Sequence, residues 1–417
     1  MKEIFKTLML ALLICAFAFS AHASIAVSGT YSALISDTGE TLTAPGAYTD
    51  IIALRENELY AVMNGNGKYA LMDEKGQLLS GAEYSSLSAM DTGILFGIGE
   101  QYGVMNDLLE IVVPCEFTWI VSNNAGGYFA FRTDIWDDFA DGVYLIDESG
   151  YVSPTGVKVS SFLTPFSGRL APALSAENGR YGYLNSDGQW AVRPQYAYAE
   201  AFENGRAIVT LDSGTGVIDE NGNWLITPKY DFVDIGTGEN ALIAAVSYHS
   251  GITVFDKQTV KELYQLDLKI YGAYASVGGN RVYVYTNTGV CVMDETGEEV
   301  MSLPEDSYVI PGENGNMIVY TDCAYLVDAE GNQVSEKYLD ISPLGIWNEK
   351  GYYVVTRYKD RIDHEIICGM IDDSGNELIP VVCHLIMMPK AGYVLYEDDA
   401  GMSLICLPDE PVWAYGF

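Results

Sequence analysis

Positive charge is scarce in this chain. Its 417 residues hold 22 Lys and Arg against 57 Asp and Glu, a formal net charge of −35 at pH 7. Proteins grip a nucleic-acid backbone by placing clustered Lys and Arg on its phosphates and releasing counterions. No such cluster is visible here, so nucleic acid is excluded as a partner, and anionic lipid is disfavoured for the same reason. The acidity reads first as a solubility device. Its sharper consequence is attraction of a basic or cationic partner.

Histidine and metal-type cysteine spacing are equally thin. His249, His364 and His384 form no i, i+4 pair, and no Cys/His group has zinc-finger spacing. Cys383 and His384 are adjacent, but neighbours on a strand point to opposite faces, which argues against their direct pairing. Beyond Cys15, the cysteines are Cys115, Cys291, Cys323, Cys368, Cys383 and Cys406, with no C-x-x-C. Several lie in apolar strand-like runs, where a free Cys behaves as a small hydrophobe. A disulfide among the C-terminal four stays open. Gly97-Ile98-Gly99 and Gly236-Thr237-Gly238 are followed by no helical pattern and read as turns, not phosphate loops. No catalytic, cofactor-binding or metal-binding residue is assigned, and the chain is read as a non-enzyme.

Long apolar runs are confined to the start. Met1 to Lys6 is weakly positive, Leu8 to Phe19 is apolar, and Ala21-His22-Ala23 precedes Ser24 as a cleavage site. This predicts a signal peptide over residues 1–23, with 24–417 as the mature protein, secreted or held in the cell envelope. The run is short for a span of roughly 20 residues, and no second run reaches membrane length. Sustained helical periodicity is also missing after the N-terminus. With 30 Tyr and many Val and Ile, the remainder is predicted nearly all β.

What is abundant is one turn. An apolar run ends in Asp or Asn, Gly follows about three residues later, and another apolar run begins. Full copies sit at Asp37, Asp73, Asp147, Asn185, Asp219, Asp294, Asp328 and Asp372, and weaker ones without the Gly at Asn106 and Asp256. From Asp37 to Asp372 the nine intervals average about 37 residues, within the ~20–50 residue window of repeat architectures. The Asp or Asn side chain can accept a backbone amide two residues on, and Gly takes a left-handed conformation, so each copy predicts a β-hairpin tip. A calcium loop is the alternative, but no copy has the alternating oxygens and closing Glu of an EF-hand.

The fullest copies run Arg180-Tyr181-Gly182-Tyr183-Leu184-Asn185, then Gly188, Trp190, Pro194 and Tyr196, then Phe202, Gly205, Ala207 and Val209. The next is Gly216-Val217-Ile218-Asp219 with Gly222, Trp224, Pro228 and Tyr230. This resembles the WG-repeat proteins of bacteria, specifically over about residues 165–232, moderately around Tyr102-Gly103 with Pro114 and Phe117, and weakly elsewhere. No Trp-Gly dipeptide occurs; Tyr181-Gly182 and Tyr102-Gly103 hold its place. The resemblance implies an all-β repeat array and carries no site residue.

Gly182 is predicted to permit close backbone or ring approach, Trp190 and Trp224 to cover the gap between repeats, and Pro194 and Pro228 to end a strand or lie at a sheet edge. Ala207, Val209 and Leu211 alternate with Ile208 and Thr210, as a strand between two apolar layers would. The expected architecture is a propeller-like or toroidal array of ~37-residue hairpin repeats, with a β-solenoid as the alternative. Met402–Leu407 is expected to lack a unit of its own and to pair with the first strand. The expected function is an exported scaffold binding an unidentified protein or glycan. A secreted glycan hydrolase or lyase is the alternative, with acids in the inserts at 133–141 (Asp134, Asp137, Asp138, Asp141) or 359–365, and an envelope structural protein is a third class.

Overall fold

Asp219 shows how the recurring turn is built. Its Oδ1 accepts the amides of Asn221 at 2.9 Å and Asn223 at 2.8 Å. The Gly222 amide closes onto the Asp219 carbonyl at 2.9 Å, with Gly222 at φ 78°. The same pair of amides, two and four residues on, is held by Asp73, Asn106, Asp147, Asn185, Asp294, Asp328 and Asp372. Asn64 and Asn123 make it as well, each with a left-handed Gly three residues on (Gly67, Gly126), two copies beyond those named from the sequence. Where the Gly is missing, Leu109 takes the left-handed position at φ 62°, and after Asp256, whose turn is one residue longer, Val260 does so at 54°. The turn carboxylate is thus committed to backbone amides and acts as a hairpin tip.

The computed structural model describes residues 24–27, 33–36, 41–44, 46–55, 58–132, 142–162, 168–236, 241–267, 274–312, 316–347, 350–359, 365–390, 392–407 and 414–416. The leader expected at 1–23, the turn expected at Asp37, the insert carrying Asp134, Asp137, Asp138 and Asp141, and residues 360–364 lie outside them. The described residues are all β. Eleven antiparallel sheets are formed, each with its strands in chain order: sheet 1 (residues 24–36), sheet 2 (50–73), sheet 3 (86–117), sheet 4 (119–154), sheet 5 (159–196), sheet 6 (198–230), sheet 7 (232–266), sheet 8 (274–303), sheet 9 (308–327), sheet 10 (340–383) and sheet 11 (385–416). Eight are four-stranded meanders, the blade type of a propeller. Sheet 1 has two strands, and sheets 2 and 9 have three, the fourth being reduced to isolated bridges such as Ala324 to Tyr338.

The chain divides into two compact units, one of residues 1–122, 130–132 and 146–151, the other of 123–129, 133–145 and 152–417. The first contains sheets 1 to 3 and the second sheets 5 to 11.

In four sheets one glycine shapes the outer hairpin. Tyr181 pairs with Tyr196 and Tyr183 with Val192, so Gly182 alone faces Arg193, Pro194 and Gln195. A Cβ on Gly182 would sit 2.6 Å from the Val192 carbonyl oxygen and 2.7 Å from the Pro194 nitrogen. Only Gly fits opposite such a bulge. Gly103, Gly216 and Gly369 face equivalent three-residue bulges, each containing a proline: Pro114, Pro228 and Pro380. The prolines therefore lie on edge strands, as expected, but inside Trp190–Tyr196 and Trp224–Tyr230 rather than at their ends. A proline is tolerated there because the bulge leaves its position outside the ladder.

Period-two side chains let each inner strand bond two sheets together. In Leu242–Ser247, Leu242, Ala244 and Val246 pack with Ala275, Val282 and Val284 of sheet 8, while Ile243 and Ala245 pack with Val217, Ile226 and Tyr230 of sheet 6. Ala207 and Val209 join sheet 5 while Ile208 turns toward sheet 7, the two apolar layers predicted for that strand. Burying each Leu, Val or Ile contributes about 1.5–3 kcal/mol, so these face-to-face layers are the core. Phe202 and Tyr183 meet across sheets 5 and 6 at 4.6 Å between ring centroids, and Trp224 reaches Tyr196 at 6.2 Å, covering the gap as expected.

Tip glycines add a second inter-sheet contact. A Cβ on Gly222 would meet Val192 of sheet 5 at 3.1 Å, on Gly297 the Tyr264 ring of sheet 7 at 3.0 Å, and on Gly331 Met301 of sheet 8 at 3.1 Å. Each tip is seated on the sheet before it.

One expectation is overturned. Gly401–Cys406 pairs with Tyr393–Asp398 and Ala414–Gly416, completing four-stranded sheet 11, and not with the first strand. Residues 414–416 supply the edge strand in place of the first strand of the chain. Ser24–Val27 instead pairs locally with Ala33–Ser36.

Candidate functional site: an aromatic row

Sheets 6 to 9 each begin with an aromatic residue: Tyr198, Phe232, Tyr274 and Tyr308. The next residue in each strand, Ala199, Val233, Ala275 or Val309, is buried against the preceding sheet. Alternation then sends the ring the other way, to the margin of the following layer. Tyr198, Tyr274 and Tyr308 stay 45%, 48% and 58% exposed, unusual for rings of this size repeated at one position.

The rings are linked from sheet to sheet. Phe232 and Tyr274 lie 5.3 Å apart between centroids, and Tyr274 meets Tyr285 of its own sheet at 5.7 Å. The Tyr285 hydroxyl donates to the Val309 carbonyl at 3.2 Å, and Tyr308 meets Tyr320 at 6.2 Å. Tyr320 closes onto sheet 10, donating to Asp340 Oδ1 at 2.8 Å and to the Ile341 carbonyl at 2.6 Å. Burial first, then the Asp340 carboxylate, pushes the Tyr320 phenol up to about 12. Burial likewise raises Tyr274 and Tyr285, so these hydroxyls are neutral at ordinary pH.

Two carboxylates adjoin the row. Asp234, two residues beyond Phe232, accepts the Val277 amide through Oδ2 at 2.7 Å, joining sheet 7 to sheet 8. Burial raises its pKa above the usual carboxylate range. Glu200 is raised too, by burial and then by the charge of Asp234. Apart from them, Lys257 is almost fully buried and donates to the Gly236 carbonyl at 2.6 Å.

No site residue is predicted from the sequence, but His384 and the second insert meet: His384 Nδ1 lies 3.9 Å from Glu365 Oε1. His384 is exposed while Cys383 is buried, as strand parity requires, and His384 Nε2 lies 3.0 Å from Asp399 Oδ1. Lys359 and Glu365, which flank the second insert, pair at 3.2 Å. Among the described residues Cys115, Cys291, Cys323, Cys368 and Cys383 are free thiols, and no group of three or more His, Cys, Asp or Glu is placed to hold a metal ion. No described helix is long and apolar enough to cross a membrane.

The row has a sequence signal that the repeat motif conceals. Tyr196-x-Tyr198 and Tyr230-x-Phe232 are aromatic doublets across a sheet boundary. The first ring closes one sheet, buried; the second opens the next, at its margin. Reading the motif as ending at Pro-x-Tyr leaves the second ring out.

Comparison with known proteins bears on the fold. A family model described as "WG containing repeat" matches residues 102–134, 181–213 and 216–235. Among curated proteins none matches the chain. Solved structures similar to it include BamB from Moraxella catarrhalis, at 12% identity over 64% of this chain and 90% of that one, with a TM-score of 0.34. Apo AztD from Citrobacter koseri is 13% identical over 75% of this chain and 93% of its own, with a TM-score of 0.34. A eukaryotic initiation factor aligns at 8% identity over 86% and 96%, with a TM-score of 0.43.

Proposed function

We propose that this chain, a WG-repeat protein, is an exported, non-catalytic scaffold that binds a glycan along the aromatic row of sheets 6 to 9. The observation that carries the reading is the recurrence of Tyr198, Phe232, Tyr274 and Tyr308 at one position of successive sheets. Flat ring faces suit the C–H faces of sugar rings, and adjoining phenols and carboxylates suit sugar hydroxyls. A net charge of −35 opposes anionic polysaccharides and favours neutral or amino sugars. Export rests on the leader at residues 1–23.

Asp234 and Glu200 favour a second reading, a glycan-active hydrolase or lyase. A carboxyl group whose pKa is raised by burial beside a sugar site is what general-acid catalysis draws on. Asp234, however, already accepts a backbone amide between sheets, a structural task that puts binding first.

The test is a glycan panel, with pull-downs from cell-envelope fractions, using purified protein and the Tyr274→Ala/Tyr308→Ala variant. Retention of a neutral or amino-sugar glycan that weakens about tenfold per ring lost supports the reading. Capture of a protein with equal strength by both forms overturns it. Glycan cleavage that disappears in Asp234→Asn moves the assignment to the enzyme.

A further inference from the structure

Sheets 9 and 10 do not close on each other completely. Between them lies a cavity of about 470 Å³, walled by Ile310, Pro311, Met317, Ile318, Pro343 and Ile346. That volume is in the range of small-molecule sites, about 300–1,000 Å³. Three glycines line it: Gly312, Gly345 and Gly351. A Cβ on Gly351 would come within 3.0 Å of the Tyr353 hydroxyl, and one on Gly345 within 3.0 Å of Met388 Sδ. Bareness at Gly351 leaves the space beside the Tyr353 hydroxyl open, while at Gly345 it makes room for Met388 of sheet 11.

Tyr353 gives the cavity its polar point. The side chain is 8% exposed and lines the cavity, with its hydroxyl 3.6 Å from where a Gly312 Cβ would be. Among the described residues the hydroxyl meets no hydrogen-bond partner. The hydroxyl opens onto the cavity rather than being sealed in the core, so it can donate to an occupant. Burial, and then the Asp373 charge, raises its pKa, so it is a donor. Of the other polar lining residues, Tyr352 has an interaction of its own and Asn316 donates its amide to the Asp373 carbonyl at 2.8 Å. Among the described residues no Lys, Arg, Asp or Glu lines the wall, so these side chains offer neither an anion nor a cation a counter-charge.

We propose that this cavity is a binding site for a compact, uncharged, largely apolar small molecule carrying one acceptor oxygen, a carbonyl or ether, which takes the hydrogen bond of the Tyr353 hydroxyl. This goes beyond the glycan reading and does not depend on it. The apolar wall supplies affinity through burial, and the phenol supplies orientation.

Titration of the full chain with Nile red, a neutral planar dye bearing one ring carbonyl, tests it. Saturable one-to-one binding with blue-shifted emission is expected. Tyr353→Phe, which keeps the ring and removes only the donor, should weaken binding about fivefold at unchanged thermal stability. Ile346→Trp, at a half-exposed wall position, should fill the space and abolish binding. Anionic anilinonaphthalene sulfonate should not compete. Non-saturable binding, equal binding by Ile346→Trp, equal affinity in Tyr353→Phe, or displacement by the anionic dye would each overturn the proposal.

Discussion

Cys368 and Cys383 face each other across the third and fourth strands of sheet 10, at the register where Tyr181 faces Tyr196 in sheet 5. The Cys368 thiol lies 3.4 Å from the Cys383 carbonyl oxygen. Two small thiols replace two phenol rings at one structural position, and neighbouring strands still close over them. Burial pushes the Cys368 thiol up, and burial with the nearby Cys368 pushes Cys383 up to about 11.

At pH 8 both thiols are therefore expected to be protonated and inert. A thiol count with a chromogenic aromatic disulfide should miss Cys368 and Cys383 in folded protein and recover both after guanidinium unfolding. Equal reaction rates in the two states would contradict the burial argument.

Gly182→Ala should destabilise the protein by about 1–3 kcal/mol, because its new methyl meets backbone atoms that cannot turn aside. Pro194→Ala, on the edge strand opposite, should cost only about 0.5 kcal/mol. Urea unfolding of the two variants checks the contrast, and similar costs would mean that the bulge adapts.

Asp219→Ala removes the acceptor of two turn amides and should cost about 1–2 kcal/mol, whereas Asp219→Asn retains an acceptor oxygen and should cost less. Gly222→Ala should also cost about 1–2 kcal/mol, since Ala must hold a left-handed backbone conformation. The midpoint of thermal unfolding reports all three.

Asp234 makes a prediction about pH. Its folded pKa lies above the unfolded value, so its stabilising contribution is fully present below the unfolded pKa and is lost as pH rises through the folded one. Asp147 and Asp294 have the opposite sign: hydrogen bonds from Ser149 and Thr296 depress them, and their contribution is lost as pH falls. The informative quantity is the difference between the parent and Asp234→Asn. The parent should lose stability relative to the variant as pH rises from the ordinary carboxylate range toward neutrality. A constant difference from pH 4 to 8 would show that Asp234 does not titrate in that window.

These effects differ in how far the sequence announces them. The Asp219 turn is legible because it is local: six residues contain the acceptor, the amides and the left-handed Gly. Gly182 is half legible. Its need for close approach can be foreseen, but the three residues it faces are known only once Tyr181 is paired with Tyr196. The aromatic row is harder. Tyr196 and Tyr198 are chemically alike and differ by one period of the strand, yet one is buried and the other exposed because a sheet boundary falls between them. The cavity is hardest of all. Gly312, Gly345, Gly351 and Tyr353 come from two sheets, and their convergence depends on how sheets 9 and 10 stack, which no short stretch of chain specifies.

The seating of each tip glycine on the sheet before it gives the array a direction. Gly222 rests on Val192 and Gly297 on Tyr264, so one face of a sheet delivers a tip and the other receives one. A symmetric pair of copies needs the same patch on both partners. Delivering and receiving faces are not the same patch. Self-association through them would run head to tail and would grow into chains or close into rings, while two-fold dimers would have to form through some other surface.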